Sequence, residues 1–182
     1  VGTIAYPPPV KLIAGLLSAD LGTLEKARAA LAEEFGTIDL VSEPAPFEHT
    51  SYYAAEMGEH LKRQYVSFAR LIRRESLAAI KRRTNELETL MANPSTRRRR
   101  VNVDSGYVAL EQMTLATTKS RDHRLYLGDG IYAELTYRYR GGSYRPLEWT
   151  YPDYREESTI NFFNTVRERL RRQLGEAKEA GG

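Results

Sequence analysis

Between residues 119 and 126 the chain reads "KSRDHRLY", which sets Lys119, Arg121, Asp122, His123 and Arg124 within six consecutive positions. Guanidinium forks match the oxygens of phosphate or carboxylate, an ammonium adds a point charge, and an imidazole gives or takes a proton near neutral pH. Together these groups could form an anion site, with Lys119 and Arg124 as binding cations, Tyr126 beside them, and His123 as acid or base. The same residues also make a solvated strand entry. Alternation limits which side chains can cooperate: if "HRLYL" is a strand, His123, Leu125 and Leu127 share one face, while Arg124 and Tyr126 share the other. One site using both His123 and Arg124 needs the strand end to bend.

Past the turn residues "GDG", the next strand puts Tyr132, Glu134, Thr136 and Arg138 on one face and Ile131, Ala133, Leu135 and Tyr137 on the other, which reads as core. Glu134 can then pair across strands with Arg124 or Arg138. For general acid–base work on a bound anion, His123 needs an orienting carboxylate, and Glu134 and Asp104 are the candidates. Lys81, Asn85 and Glu88 follow one another by four and three residues, a cation, an amide and a carboxylate along one helical flank. Such a row can hydrogen-bond a ligand, or it can be a satisfied intrahelical series. Asp104 in "NVDSGY" and Asp153 in "YPDY" stand beside turn residues, where an aspartate commonly caps its own backbone.

A second reading uses "YRYRGGSYRPLEWTYPDYR" and the run Arg97 to Arg100. Rings interleaved with arginine suit stacking on exposed bases, so an RNA-binding module is the alternative. Equally, tyrosine is a favoured strand residue and an arginine run a solvated loop. A third reading is a non-catalytic protein-interaction domain. Several chemistries are disfavoured. The sequence has no phosphate loop, no G-x-G-x-x-G, no H-E-x-x-H and no G-x-S-x-G elbow, and His49, His60 and His123 lack metal-ligand spacing. Cysteine is absent, which excludes thiolate metal sites and thiol nucleophiles. No metal is expected and no cofactor can be named. The net charge of +3, from 27 basic and 24 acidic residues, is too small to argue for nucleic acid by itself.

The elements that must position these groups follow from periodicity. "VKLIAGLLSA" reads as a buried strand. From Thr23, the expected N-cap, Leu24, Ala27, Leu31 and Phe35 mark a helix stopped by Gly36. "TIDLVS" and "LKRQYVSFARLI" are strands, Leu77, Ile80, Thr84, Leu87 and Met91 draw a second helix, and "RRVNV" is a further strand. That order is βαββαβ, so the expected fold is α+β with a ferredoxin-like split βαβ core. "YVALEQMTLATT", "HRLYL", "GIYAELTYRYR" and "SYRPLEWT" extend it as antiparallel hairpins, and Ile160, Phe163, Val166 and Leu170 mark a C-terminal helix. The expected bounds are a flexible segment 1–10, one α+β domain 11–175 and a disordered tail 176–182. No apolar run approaches membrane length and "VGTIAYPPPVK" lacks signal-peptide features, so a cytoplasmic protein without a membrane partner is expected.

The words "YYAAEMG", "IKRRTNELE", "VNVDSGYV", "LATTKSRDHRLYLGDGIYAELT" and "WTYPDYR" span nearly the whole chain. In this order they resemble a bacterial family catalogued only as a domain of unknown function. The resemblance draws in Tyr53, Glu56, Asn102, Trp149, Tyr151 and Tyr154 beside the candidates already named. Some members carry the label "GTP-binding protein", yet this sequence has neither a phosphate loop nor N-K-x-D. The family has proline where Ser105 stands, which implies a looser turn after Asp104. Taken together, the residues predict binding of an anionic small molecule, with a nucleotide or phosphorylated metabolite as the leading case.

Overall fold

The run VKLIAGLLS forms β1 (Val10–Ser18), and all nine of its side chains are buried. Burial on both faces explains why it reads as a continuous apolar stretch rather than an alternating one. The computed structural model describes residues 1–49 and 54–180; Tyr53 lies outside them. After β1 come α1 (Leu21–Phe35), β2 (Ile38–Val41), β3 (Ala45–Pro46), a short α2 (Ala54–Met57), β4 (Lys62–Ile72), α3 (Leu77–Leu90) and β5 (Asn102–Val108). Then follow β6 (Gln112–Thr117), β7 (Arg124–Gly128), β8 (Ile131–Arg140), β9 (Ser143–Pro146) and α4 (Glu157–Ala180). The fold is α+β: one large antiparallel sheet in the order β2-β4-β1-β5-β6-β8-β7, with β3 also on β4 and β9 also on β8.

Helices cover both faces. Leu12, Ala14 and Leu16 of β1 meet Leu24 and Leu31 of α1 and Ile80 and Leu87 of α3. On the opposite face Ile13, Tyr65, Met113 and Tyr137 pack under Phe163, Val166 and Leu170 of α4. A 3-10 turn, Pro152–Arg155, leads into α4 and buries Asp153 and Tyr154 against this second face.

Three expectations about elements change. The N-cap of α1 is Asp20, whose carboxylate accepts the Thr23 N–H at 2.8 Å and the Thr23 hydroxyl at 2.7 Å. Thr23 is a donor inside the first turn, because the carboxylate upstream is the stronger acceptor. "YVALEQMTLATT" is two strands, β5 and β6, joined by a tight connection closed by Ala109 N–H to Gln112 O at 2.8 Å. No glycine or proline advertises that turn. Finally, Met113 pairs with Tyr137 but Thr114 with Leu135, so Thr136 is an extra residue in β8. This bulge flips the alternation, which places Glu134 and Tyr137 on one face and buries Thr136. The two hairpin turns match expectation: Gly128, Asp129, Gly130, Gly141 and Gly142 all have positive φ.

Candidate functional site

The site lies on the α4 face, at the end of the sheet where β1 finishes and β4 and β5 begin. Directly paired residues share a face, so the register Tyr65–Gly15–Asp104 puts Tyr65, Arg63 and Asp104 together there. Arg63 is 5% exposed and donates from Nη1 to Asp104 Oδ2 at 2.8 Å. Its Nε stands 2.9 Å from Asp153 Oδ2, an off-axis ion-pair contact, since that N–H makes no hydrogen bond. Tyr65 donates to the same Asp153 oxygen at 3.3 Å. Gly15 makes room for this cluster: a Cβ there would lie 2.6 Å from Tyr154 Oη and 3.3 Å from Arg63 Nη1.

The two carboxylates beside Arg63 differ. Burial raises the Asp153 pKa above the ordinary aspartate value, and the Arg63 charge only partly offsets that. Burial acts on Asp104 too, but the Arg63 and Lys81 charges, with hydrogen bonds from Arg63 and Asn102, outweigh it and hold the group ionised. Asp104 therefore sits mid-strand in an ion pair rather than at a turn capping its own backbone, and the Ser105 position lies within β5.

Glu134 is the second centre, 2% exposed on β8 directly opposite Arg124. Its Oε2 accepts Arg124 Nε at 2.7 Å and lies 3.0 Å from His123 Nε2. β7 begins at Arg124, so His123 occupies the preceding turn and the strand end does bend. Both side chains thereby converge on one carboxylate oxygen. Arg124 also donates to Lys119 O at 2.8 Å and to Tyr151 Oη at 3.0 Å. The His123 ring stacks on Trp149, centroids 5.0 Å apart and planes 15° from parallel. Trp149 is in turn fixed by donating Nε1–H to Leu135 O at 2.7 Å.

Between the two centres lies a cleft of about 490 Å³. Lys119, Arg121, His123 and Arg124 line it, as do Asp104 and Asp153, and Phe47, Trp149 and Tyr151 supply rings. It thus joins Lys119, His123, Arg124 and Asp104, while Glu134 lies buried behind His123 and Arg124. Tyr126 is not at the cleft: it is 62% exposed, packed on Tyr132 at 5.2 Å. A second hollow of about 410 Å³ lies across Arg63, toward α4. Glu43, Glu156 and Asp153 line it against Arg63 as its one cation among the described residues, a net negative lining that suits an anion poorly.

Lys81 and Asn85 line a small polar pocket of about 110 Å³ that adjoins the cleft along Asp104, Lys119 and Tyr151. It exists because the sheet splits. The β1–β5 ladder continues to Asn102, but the β5–β6 ladder stops at Gly106–Leu115. Val103 is met by α3 instead of a strand: Lys81 Nζ donates to Val103 O at 2.7 Å, and Val103 N–H donates to Glu88 Oε1 at 2.7 Å. Two members of the helical row, Lys81 and Glu88, thus bond the β5 backbone rather than each other. Burial raises the Glu88 pKa, with Lys81 partly offsetting it.

Arg63 and Phe47 are cleft residues that the sequence does not single out, while Trp149 and Tyr151 enter only through the family resemblance and the aromatic stretch. The one local signal for Arg63 is Gly15 inside an otherwise apolar buried strand. Of the rings offered for RNA stacking, Tyr137 and Tyr144 are 0% and Tyr154 1% exposed, while Tyr151 is 45% exposed. Arg99 turns inward to Glu56 at 2.6 and 3.0 Å, while Arg97, Arg98 and Arg100 are exposed. Among the described residues no group of His, Asp or Glu could hold a metal ion, and no helix is long and apolar enough to cross a membrane.

A family model described as a domain of unknown function, DUF4416, matches residues 8–170, and the chain belongs to that family. No curated protein and no solved structure matches it.

Proposed function

We propose that this member of the DUF4416 family binds an anionic small molecule, a nucleotide or phosphorylated metabolite, in the cleft at the sheet end. One observation carries the reading: Lys119, Arg121 and His123 face the same space as the rings of Trp149 and Tyr151. Cations beside rings suit a ligand with a planar body and an oxyanion. Arg63 engages both Asp104 and Asp153 and offsets one of their two charges, and Lys119 and Arg121 outweigh the other. Where the ligand is turned over, His123 is the acid or base and Glu134 orients it through Nε2, leaving Nδ1 beside the exposed Asp122 as the exchanging nitrogen. We also read the β1–β5 half as ferredoxin-like. The order β2-β4-β1-β5, with α1 and α3 as the two crossovers, supports that.

A thermal-shift panel tests the function: nucleoside phosphates including the guanosine series, sugar phosphates, and a short single-stranded RNA at low and physiological salt. A ligand at a hundred times its Kd adds about 2.7 kcal/mol. The expected result is a shift from at least one phosphorylated small molecule that shrinks in Lys119→Ala and His123→Ala. A shift from RNA alone at low salt, or from nothing, contradicts the reading.

A further inference from the structure

Lys81 is 6% exposed, and among the described residues its ammonium has one hydrogen bond, to Val103 O. An ammonium carries three donors, and a charge withdrawn from water is normally met by a counter-ion or by enough acceptors to replace its hydration. Here no carboxylate stands within 4.0 Å of Lys81 Nζ among the described residues, although Glu88 and Asp104 lie in the same pocket. Glu88 is committed to the Val103 N–H and Asp104 to Arg63 and Asn102. Asn85, half-buried on the same helix flank, has no side-chain hydrogen bond among the described residues. Thr118 and Lys119 complete the wall on the β6 side.

Resting on the anion-binding reading above, we infer that the split between β5 and β6 is the seat of the ligand's oxyanion. In this arrangement a compact phosphate or carboxylate enters beside Lys81, Asn85 and Lys119, and the planar body lies outside it against Trp149 and Tyr151. Three features argue for this depth. The pocket adjoins the cleft along Lys119 and Tyr151, so one molecule can occupy both. Its space is about 110 Å³ against about 490 Å³ for the cleft, and its lining is polar apart from Ala116 and Tyr151, which suits a small polar group. A low-dielectric setting makes a buried ammonium–oxyanion contact stronger than one at the exposed rim, where Arg121 is open to water. Lys81 and Glu88 thus have distinct duties at the β5 edge, Glu88 closing it and Lys81 both closing it and presenting charge to the ligand.

The test is calorimetric titration of the full chain with phenyl phosphate, benzoate, inorganic phosphate and neutral phenol. Four proteins are compared: wild type, Lys81→Met, Asn85→Asp and Arg121→Ala. Asn85→Asp guards against misfolding of Lys81→Met, since the Asn85 side chain makes no hydrogen bond among the described residues. It sets a carboxylate where the oxyanion would sit. The expected result is that phenyl phosphate or benzoate binds wild type and phenol does not. Binding falls by about tenfold or more in Lys81→Met and Asn85→Asp, and less in Arg121→Ala. Preference between the two aryl anions tells phosphate from carboxylate. If Arg121→Ala is the most damaging and the two pocket variants bind like wild type, the oxyanion sits at the rim: the inference falls while the anion-binding reading stands. If no anion binds wild type, both fall.

Discussion

At the scale of single residues, the chemistry turns on which charges are already matched. Asp104 has a folded pKa held below its ordinary value of 3.8, so its contribution to stability is present above that value and is lost as pH falls through the lower, folded one. Asp104→Asn should therefore cost about 2 kcal/mol at pH 7, the range for a hydrogen bond to a charged group. The gap from wild type should narrow in urea melts as pH falls below 3.8, and a gap independent of pH would refute the assignment. Tyr154 gives a second test. Its hydroxyl is buried against Gly15 without a hydrogen-bond partner among the described residues. Tyr154→Phe should leave stability unchanged or raise it, Gly15→Ala should lose roughly 1–3 kcal/mol by overpacking, and the double variant should recover part of that loss. Strict additivity would show that Gly15 is not there to admit the hydroxyl. Residue types alone revealed Lys119, His123, Arg124 and Glu134 because a short hairpin brings them together. They could not reveal that Arg63 meets Asp104 and Asp153, since those contacts depend on strand order and on a turn far along the chain.

At the scale of elements, the early end of the β5–β6 ladder is what opens a polar pocket in the sheet. The ladder is held at Gly106, where a Cβ would strike Thr114 O at 2.4 Å and Leu115 Cδ2 at 2.8 Å. Gly106→Ala must push β6 away from β5 at the last rung before the split. A loss of roughly 2–3 kcal/mol is expected in denaturant melts, near the upper range for overpacking. A neutral outcome would mean the strands separate there at little cost. Most elements were legible because their periods are clean: the stripe of α3 and the apolar run of β1 needed no tertiary information. What was hidden were events without a residue signature. The "ALE" connection between β5 and β6 contains no turn former, and the Thr136 bulge is set by pairing with β6 rather than by glycine. The α3 polar row was visible as a row, but its partner, the unpaired edge of β5, was not.

At the scale of the whole molecule, one sheet covered by α1 and α3 on one side and α4 on the other draws the tyrosine-rich hairpin into a core. Tyr65, Tyr137, Tyr144 and Tyr154 each have a pKa raised by burial above the ordinary 10.0. Because the folded value is raised, their stabilisation is complete below pH 10 and erodes as pH rises past it and the unfolded chain ionises. A spectrophotometric titration should show phenolate absorbance about four rings short of the twelve tyrosines until the protein unfolds. A full twelve before unfolding would contradict the packing of α4 on the sheet. Composition could not separate buried from exposed rings, which is why the same hairpin reads equally as a base-stacking surface. The central claim is that the cleft beside His123 takes an anion. Trp149, the single tryptophan, stacks on that histidine and reports directly on the space. The decisive measurement is its fluorescence during titration with nucleoside and sugar phosphates. A saturable change that is weakened in Lys119→Ala is the predicted result. Emission that stays flat to millimolar concentrations of every phosphorylated compound would contradict the account.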